Sequence, residues 1–112
     1  MKRKGHWAAA ATVILAVALP LLAADIRGKV TSVSANTILI EGRVEKDTQV
    51  DKASTRVTDK TSIFRMVNGQ KTPAAFRDLK VGQTVEATFV GPVAESYPVQ
   101  ATAGEIVILE DR

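Results

Sequence analysis

Residues 83–90 read QTVEATFV, where Val85, Ala87 and Phe89 alternate with Glu86 and Thr88. A repeat of two is the period of a pleated strand with one buried face, and an amphipathic helix would need apolar residues three and four apart. Working outward, Gly82 punctuates the start of this strand, and residues 99–109 supply a further strand, bent at Gly104. Composition points the same way. Residues 25–112 contain 12 Val, 6 Ile and 10 Thr against 3 Leu. Branching at Cβ stiffens a side chain and suits a sheet better than a helix.

Toward the N-terminus, residues 26–33 read as a first strand, with Gly28 as a bulge or a point of close backbone approach. Ser34, Ala35 and Asn36 make a short turn, and TILIEG at 37–42 completes a hairpin. Residues 43–52 are polar and charged, a solvated loop or a frayed strand extension. Residues 54–60 alternate as a third strand, which 62–67 continues or follows, and Asn68-Gly69 is a strong turn signal. One short helix is expected next. Thr72 is its N-cap, Pro73 takes the first helical position, and Phe76 and Leu79 share a face. The order β-β-β-helix-β-β makes residues 25–112 a mainly all-β domain of the five-stranded OB-like barrel type, whose closure removes exposed edges.

Residues 1–24 have a different character. Lys2, Arg3 and Lys4 precede an apolar run from Trp7 to Ala24, and no acidic residue occurs before Asp25. A charged start, an apolar middle and small residues at the exit make a secretory signal peptide. The rival is an uncleaved N-terminal anchor, although 8–22 is shorter than the roughly 20 apolar residues of a membrane span. Either way the domain is expected to be exported, periplasmic or extracellular, touching a membrane only through residues 1–24 and only if these stay uncleaved. The chain has no Cys, so no lipid anchor can form through Cys and no disulfide staples the domain.

The leader also carries the only His, the only Trp and the net charge. The whole chain holds 15 Lys/Arg and 12 Asp/Glu, whereas residues 25–112 hold 12 of each. A neutral domain lacks the basic surface that phosphate binding needs, so nucleic acid is not an expected partner. With neither imidazole nor thiol, the commonest catalytic bases, nucleophiles and zinc ligands are missing. The expectation is a non-enzyme with no cofactor and no metal site. Glu41, Glu45, Asp47 and Asp51 are spaced like a loose calcium loop, but Arg43, Lys46 and Lys52 interrupt them and no Gly lies between Asp47 and Asp51. A charged solvated loop fits better.

One segment stands apart. GPVAESYPVQATA at 91–103 places Glu95, Ser96 and Tyr97 between Pro92 and Pro98, with Gln100 following. The weightier reading is structural: the prolines stiffen a long loop and Tyr97 caps the barrel end. The functional reading makes Glu95, Ser96, Tyr97 and Gln100 a binding site, since an amphipathic ring can both pack and hydrogen-bond. This segment follows F-x-D-L-K-V-G-Q-x-V, carried by Phe76, Asp78, Leu79, Lys80, Val81, Gly82, Gln83 and Val85. Together they resemble the YobA-like family of small exported bacterial proteins, a domain of unknown function. The resemblance is fullest over 76–109, weaker over 26–42, and adds little between. It implies a small OB-like barrel outside the cytoplasm and carries no reaction or ligand. Family members are often lipid-anchored, and this chain departs from them in lacking Cys.

The expected function is that of an exported non-catalytic module binding a protein or cell-envelope component through the segment from Glu95 to Gln100. The alternative is an oligosaccharide-binding OB-like domain. Against it stands the scarcity of rings: only Phe64, Phe76, Phe89 and Tyr97 are available, and Phe76 and Phe89 are expected in the core.

Overall fold

The computed structural model describes residues 24–110. The expected signal peptide, residues 1–24, therefore lies outside the described residues except for Ala24. Seven strands follow: β1 (Ile26–Val33), β2 (Thr37–Gly42), β3 (Lys52–Arg56), β4 (Ser62–Val67), β5 (Gln70–Pro73), β6 (Thr84–Ala94) and β7 (Val99–Glu110). A single 3₁₀ turn, Phe76–Asp78, precedes β6.

The sheet order is β3-β2-β1-β6-β7-β4-β5, and a further pairing between β3 and β7 closes β1, β2, β3, β7 and β6 into a five-stranded barrel. This is the expected OB-like, all-β architecture. The closing pair is parallel, from Ala53 opposite Val99 to Arg56 opposite Thr102. Beyond that point β7 changes neighbour and runs parallel to β4, from Ser62 opposite Glu105 to Arg65 opposite Ile108. The change falls at Gly104, where the β6 pairing also slips by one residue, with Thr88 opposite Glu105 and Phe89 opposite Ala103. A bulge bends its strand and increases its twist, which is how one long hairpin can serve two partners. The bend expected at Gly104 is this bulge.

Gly28 is a point of close approach. It faces Gly42 across the β1–β2 pair, and a Cβ at Gly28 would lie 2.4 Å from the Glu41 carbonyl oxygen. The bulge in β1 sits elsewhere, between Val30 and Ser32. Inward positions alternate with outward ones along β2, β3 and the first half of β6. Ile26, Val30, Ile38, Ile40, Val85, Ile106 and Ile108 fill the barrel between the small Ala53, Ala87 and Ala103. Burial of one such branched side chain stabilises the fold by about 1.5–3 kcal/mol. In a domain without disulfides this packing is the main source of stability.

Three local expectations are corrected. The third strand ends at Arg56, not at 60, because Thr58 and Thr61 fold into a turn. The Thr58 N–H donates to Thr61 Oγ1 at 2.9 Å, and the Lys60 N–H donates to Thr58 Oγ1 at 3.1 Å. Thr72 and Pro73 start no helix. They lie in β5, paired with Arg65 and Phe64, because Asn68 and Gly69 adopt φ of 51° and 81° and fold the chain back on β4. The helix shrinks to the 3₁₀ turn, stitched by the Ala75 N–H donating to Asp78 Oδ2 at 2.8 Å. Phe76 and Leu79 still pack against the core.

Candidate functional site

Residues 91–103 are mostly strand rather than a long loop. β6 runs to Ala94 and β7 begins at Val99, which leaves Glu95, Ser96, Tyr97 and Pro98 as the hairpin tip. Prolines argue against a strand interior. Pro92 is tolerated because β1 pairs with β6 only through Ala87, so no β1 carbonyl needs an N–H from residue 92. Between Val90 opposite Thr102 and Ala94 opposite Gln100, the three residues Gly91, Pro92 and Val93 face the single Ala101. Gly91, at φ 73°, permits this bulge.

The bulge makes a groove. A concavity of about 340 Å³ lies on the barrel's outer face, walled by Pro92, Val93 and Ala94 of β6 and floored by β7 and β3. From β7 come Gln100, Ala101 and Thr102, and from β3 come Ser54 and Arg56, with Thr37 of β2 beyond them. Strand register aligns these side chains. Thr37 lies opposite Arg56 and Arg56 opposite Thr102, while Ser54 lies opposite Gln100. Arg56 is the one charged residue lining the groove. Its side chain has no hydrogen-bond or ion-pair partner among the described residues. The rest of the lining supplies hydroxyls, one amide and a small apolar wall, a set suited to binding a polar ligand.

The expected site residues divide. Gln100 lines the groove, whereas Glu95, Ser96 and Tyr97 stand at the tip beside it. Ser96 Oγ donates to the Pro98 carbonyl at 2.8 Å, across a cis Tyr97–Pro98 bond. Tyr97 does not cap the barrel. It is 69% exposed, its hydroxyl donates to Asp51 Oδ2 at 3.3 Å, and Lys52 Nζ lies 5.6 Å from its ring centroid. These contacts tie the tip to the start of β3. Glu95 is exposed. Arg56, Ser54, Thr37 and Thr102 join Gln100 in the groove without a motif that marks them in the sequence. Their only sequence signal is that they occupy the outward phase of strands, which marks most of the surface.

The acidic series is engaged elsewhere. Arg27 Nη1 meets Glu45 Oε1, Nη2 meets Asp47 Oδ2 and Nε meets Glu86 Oε2, each at 2.7 Å. Glu41 accepts from Thr31 Oγ1 at 2.7 Å and lies 3.7 Å from Lys52 Nζ. Residues 43–51 are thus pinned rather than freely solvated. The Asp25 carbonyl reinforces this, accepting the N–H groups of Gln49 and Val50 at 3.0 Å.

Hydrogen bonding to Arg27 holds the Asp47 carboxyl below its ordinary range, and bonds to Asp47 and Glu86 raise the guanidinium, keeping it charged. A carboxyl depressed in the folded state adds stability above its unfolded pKa of about 3.9, and that increment is lost as pH falls through the folded value. Asp47→Asn is therefore expected to melt below the wild type at pH 7, with the gap closing below about pH 4. Melting curves of both proteins from pH 7 to pH 2 check this, and a gap unchanged at pH 2 would refute it.

Among known families, a model described as "Protein of unknown function (DUF3221)" matches residues 27–110. The match takes in the barrel, the β4–β5 hairpin and the β6–β7 tip. Neither the curated proteins nor the solved structures yield a match.

Proposed function

The chain belongs to the DUF3221 family, which carries no assigned role, and we propose that it is an exported, non-catalytic module of YobA-like kind. It binds a protein or cell-envelope component through the β6–β7 tip and the adjoining groove. The observation that carries this reading is the groove itself. A bulge raises β6 beside a row of outward hydroxyl, amide and guanidinium groups, and the tip continues that surface through Ala94 and Gln100. The layout of residues 1–24 supports export. The lack of His and Cys in residues 25–112 supports binding over chemistry.

The test is affinity capture from native envelope extract with the full chain and with the Glu95→Ala/Tyr97→Ala double variant. The expected outcome is loss of at least one specific partner in a variant that still melts cooperatively. Recovery of every partner by that folded variant would show that the tip is not the binding surface.

A further inference from the structure

The groove has a charge character that the domain as a whole lacks. Residues 25–112 are neutral, and three of the basic groups are paired with carboxylates: Arg27 with three of them, Lys52 with Glu41, Lys71 with Glu105. Arg56 has no carboxylate partner among the described residues, and it is distinguished from the other unpaired basic side chains by lining the groove, with no carboxylate beside it. A guanidinium offers a planar fork of donors matched to two oxygens of one acid group. Here that fork is flanked in register by Thr37 and Thr102, whose strands lie on either side of β3. Neighbouring strands are spaced about 4.8 Å apart, so the two hydroxyls stand roughly 10 Å apart across it. Ser54 and Gln100 form a second polar row beside the first.

From this arrangement we infer that the groove binds an acidic oligosaccharide, with Arg56 holding the carboxylate or phosphate group. The inference rests on the reading of this face as a binding surface and names the ligand class for it. The hydroxyls of Thr37, Ser54 and Thr102 and the Gln100 amide are placed to exchange hydrogen bonds with sugar hydroxyls. No aromatic ring lines the groove to stack on a sugar face, so the acid group supplies the orientation that stacking would otherwise give. At about 340 Å³ the groove is at the small end of ligand sites, fitting a short stretch of glycan better than a folded partner.

The test is an amide chemical-shift titration of the full-length chain in detergent micelles. The probes are trigalacturonic acid for the carboxylate, a mannose-phosphate trisaccharide for the phosphate, the methyl ester of trigalacturonic acid as neutral control, and hexaglutamate as acidic peptide. At least one acidic sugar is expected to shift the amides of Thr37, Ser54, Gln100 and Thr102, and the tighter of the two identifies the acid group. The ester and the peptide are expected to bind at least tenfold more weakly. Arg56→Gln should lose tenfold or more, and Arg56→Lys, which keeps charge without the fork, at least threefold. Arg77→Gln, at an exposed arginine away from the groove, should bind as wild type. Equal binding of the ester or of hexaglutamate, no shift with either acid sugar, or undiminished binding by both Arg56 variants would each overturn the inference. Such a failure, with partner loss still seen in the Glu95/Tyr97 variant, would leave the tip-mediated function standing.

Discussion

Gly42→Ala is expected to lower the melting temperature by about 12 °C or more. A Cβ at Gly42 would lie 2.1 Å from the Arg27 carbonyl oxygen and 2.9 Å from Gly28 Cα. Both are backbone atoms of the partner strand, so no side chain can swing aside and β1 must move. Overpacking a core costs roughly 1–3 kcal/mol when side chains can adjust, and displaced strand backbone belongs at or above the upper end. At about 4–8 °C per kcal/mol for a domain of this size, 3 kcal/mol gives the stated shift. Gly69→Ala is the comparison. Its Cβ would meet nothing within 4 Å, but φ is 81°, and the left-handed region costs a non-glycine residue about 1–2 kcal/mol. Thermal melts of the two variants decide the matter. If Gly42→Ala is no more damaging than Gly69→Ala, the close approach of β1 and β2 is not what requires glycine.

Ile106→Ala is expected to destabilise by about 3–4 kcal/mol, within the usual range for a buried Ile cut to Ala. Ile106 is fully buried, and it stands opposite Ala87 of β6 and Ile63 of β4. Alanine is already the inward residue at 53, 87 and 103, so little neighbouring bulk is available to fill the void. A domain of this size has a total stability of roughly 4–13 kcal/mol, so the variant gives up at least about a quarter of it. Ile106→Val removes one methylene and should cost only about 0.5–1.5 kcal/mol. Urea unfolding of the wild type and both variants gives the comparison. A loss below 1 kcal/mol for the alanine variant would mean that the barrel interior collapses to fill the space.

Local signals in the sequence were reliable where one strand or one turn carried its own pattern. Residues 26–33 and 37–42 coincide with β1 and β2, Asn68-Gly69 makes the β4–β5 turn, and Val85 and Ala87 are buried as their alternation requires. The failures occurred where pairing partners overrode a local preference. Thr72-Pro73 has helix-start chemistry, yet the Asn68-Gly69 turn folds it back onto Arg65 and Phe64 and places it on a strand edge. Pro92 reads as a loop residue, yet it lies in a stretch of β6 that β1 does not reach. Tyr97 stood out as the only Tyr and does sit at an exposed tip. Arg56 did not stand out, being one of 12 basic residues in residues 25–112.

By itself, then, the sequence determined the class of this protein: a neutral, cysteine-free, β-rich domain following an apolar N-terminal stretch, with the five barrel strands and the Asn68-Gly69 turn in the right order. Those properties depend on composition and on neighbours within a few residues. Only the tertiary structure decided that β7 would change partners at Gly104, that the 91–94 bulge would wall a groove, and that Arg56 would face that groove between Thr37 and Thr102. The physical reason is register. Which side chains meet in the groove depends on hydrogen-bond pairing between residues as much as 46 apart in the chain, and a slip of one residue would turn every one of them to the opposite face.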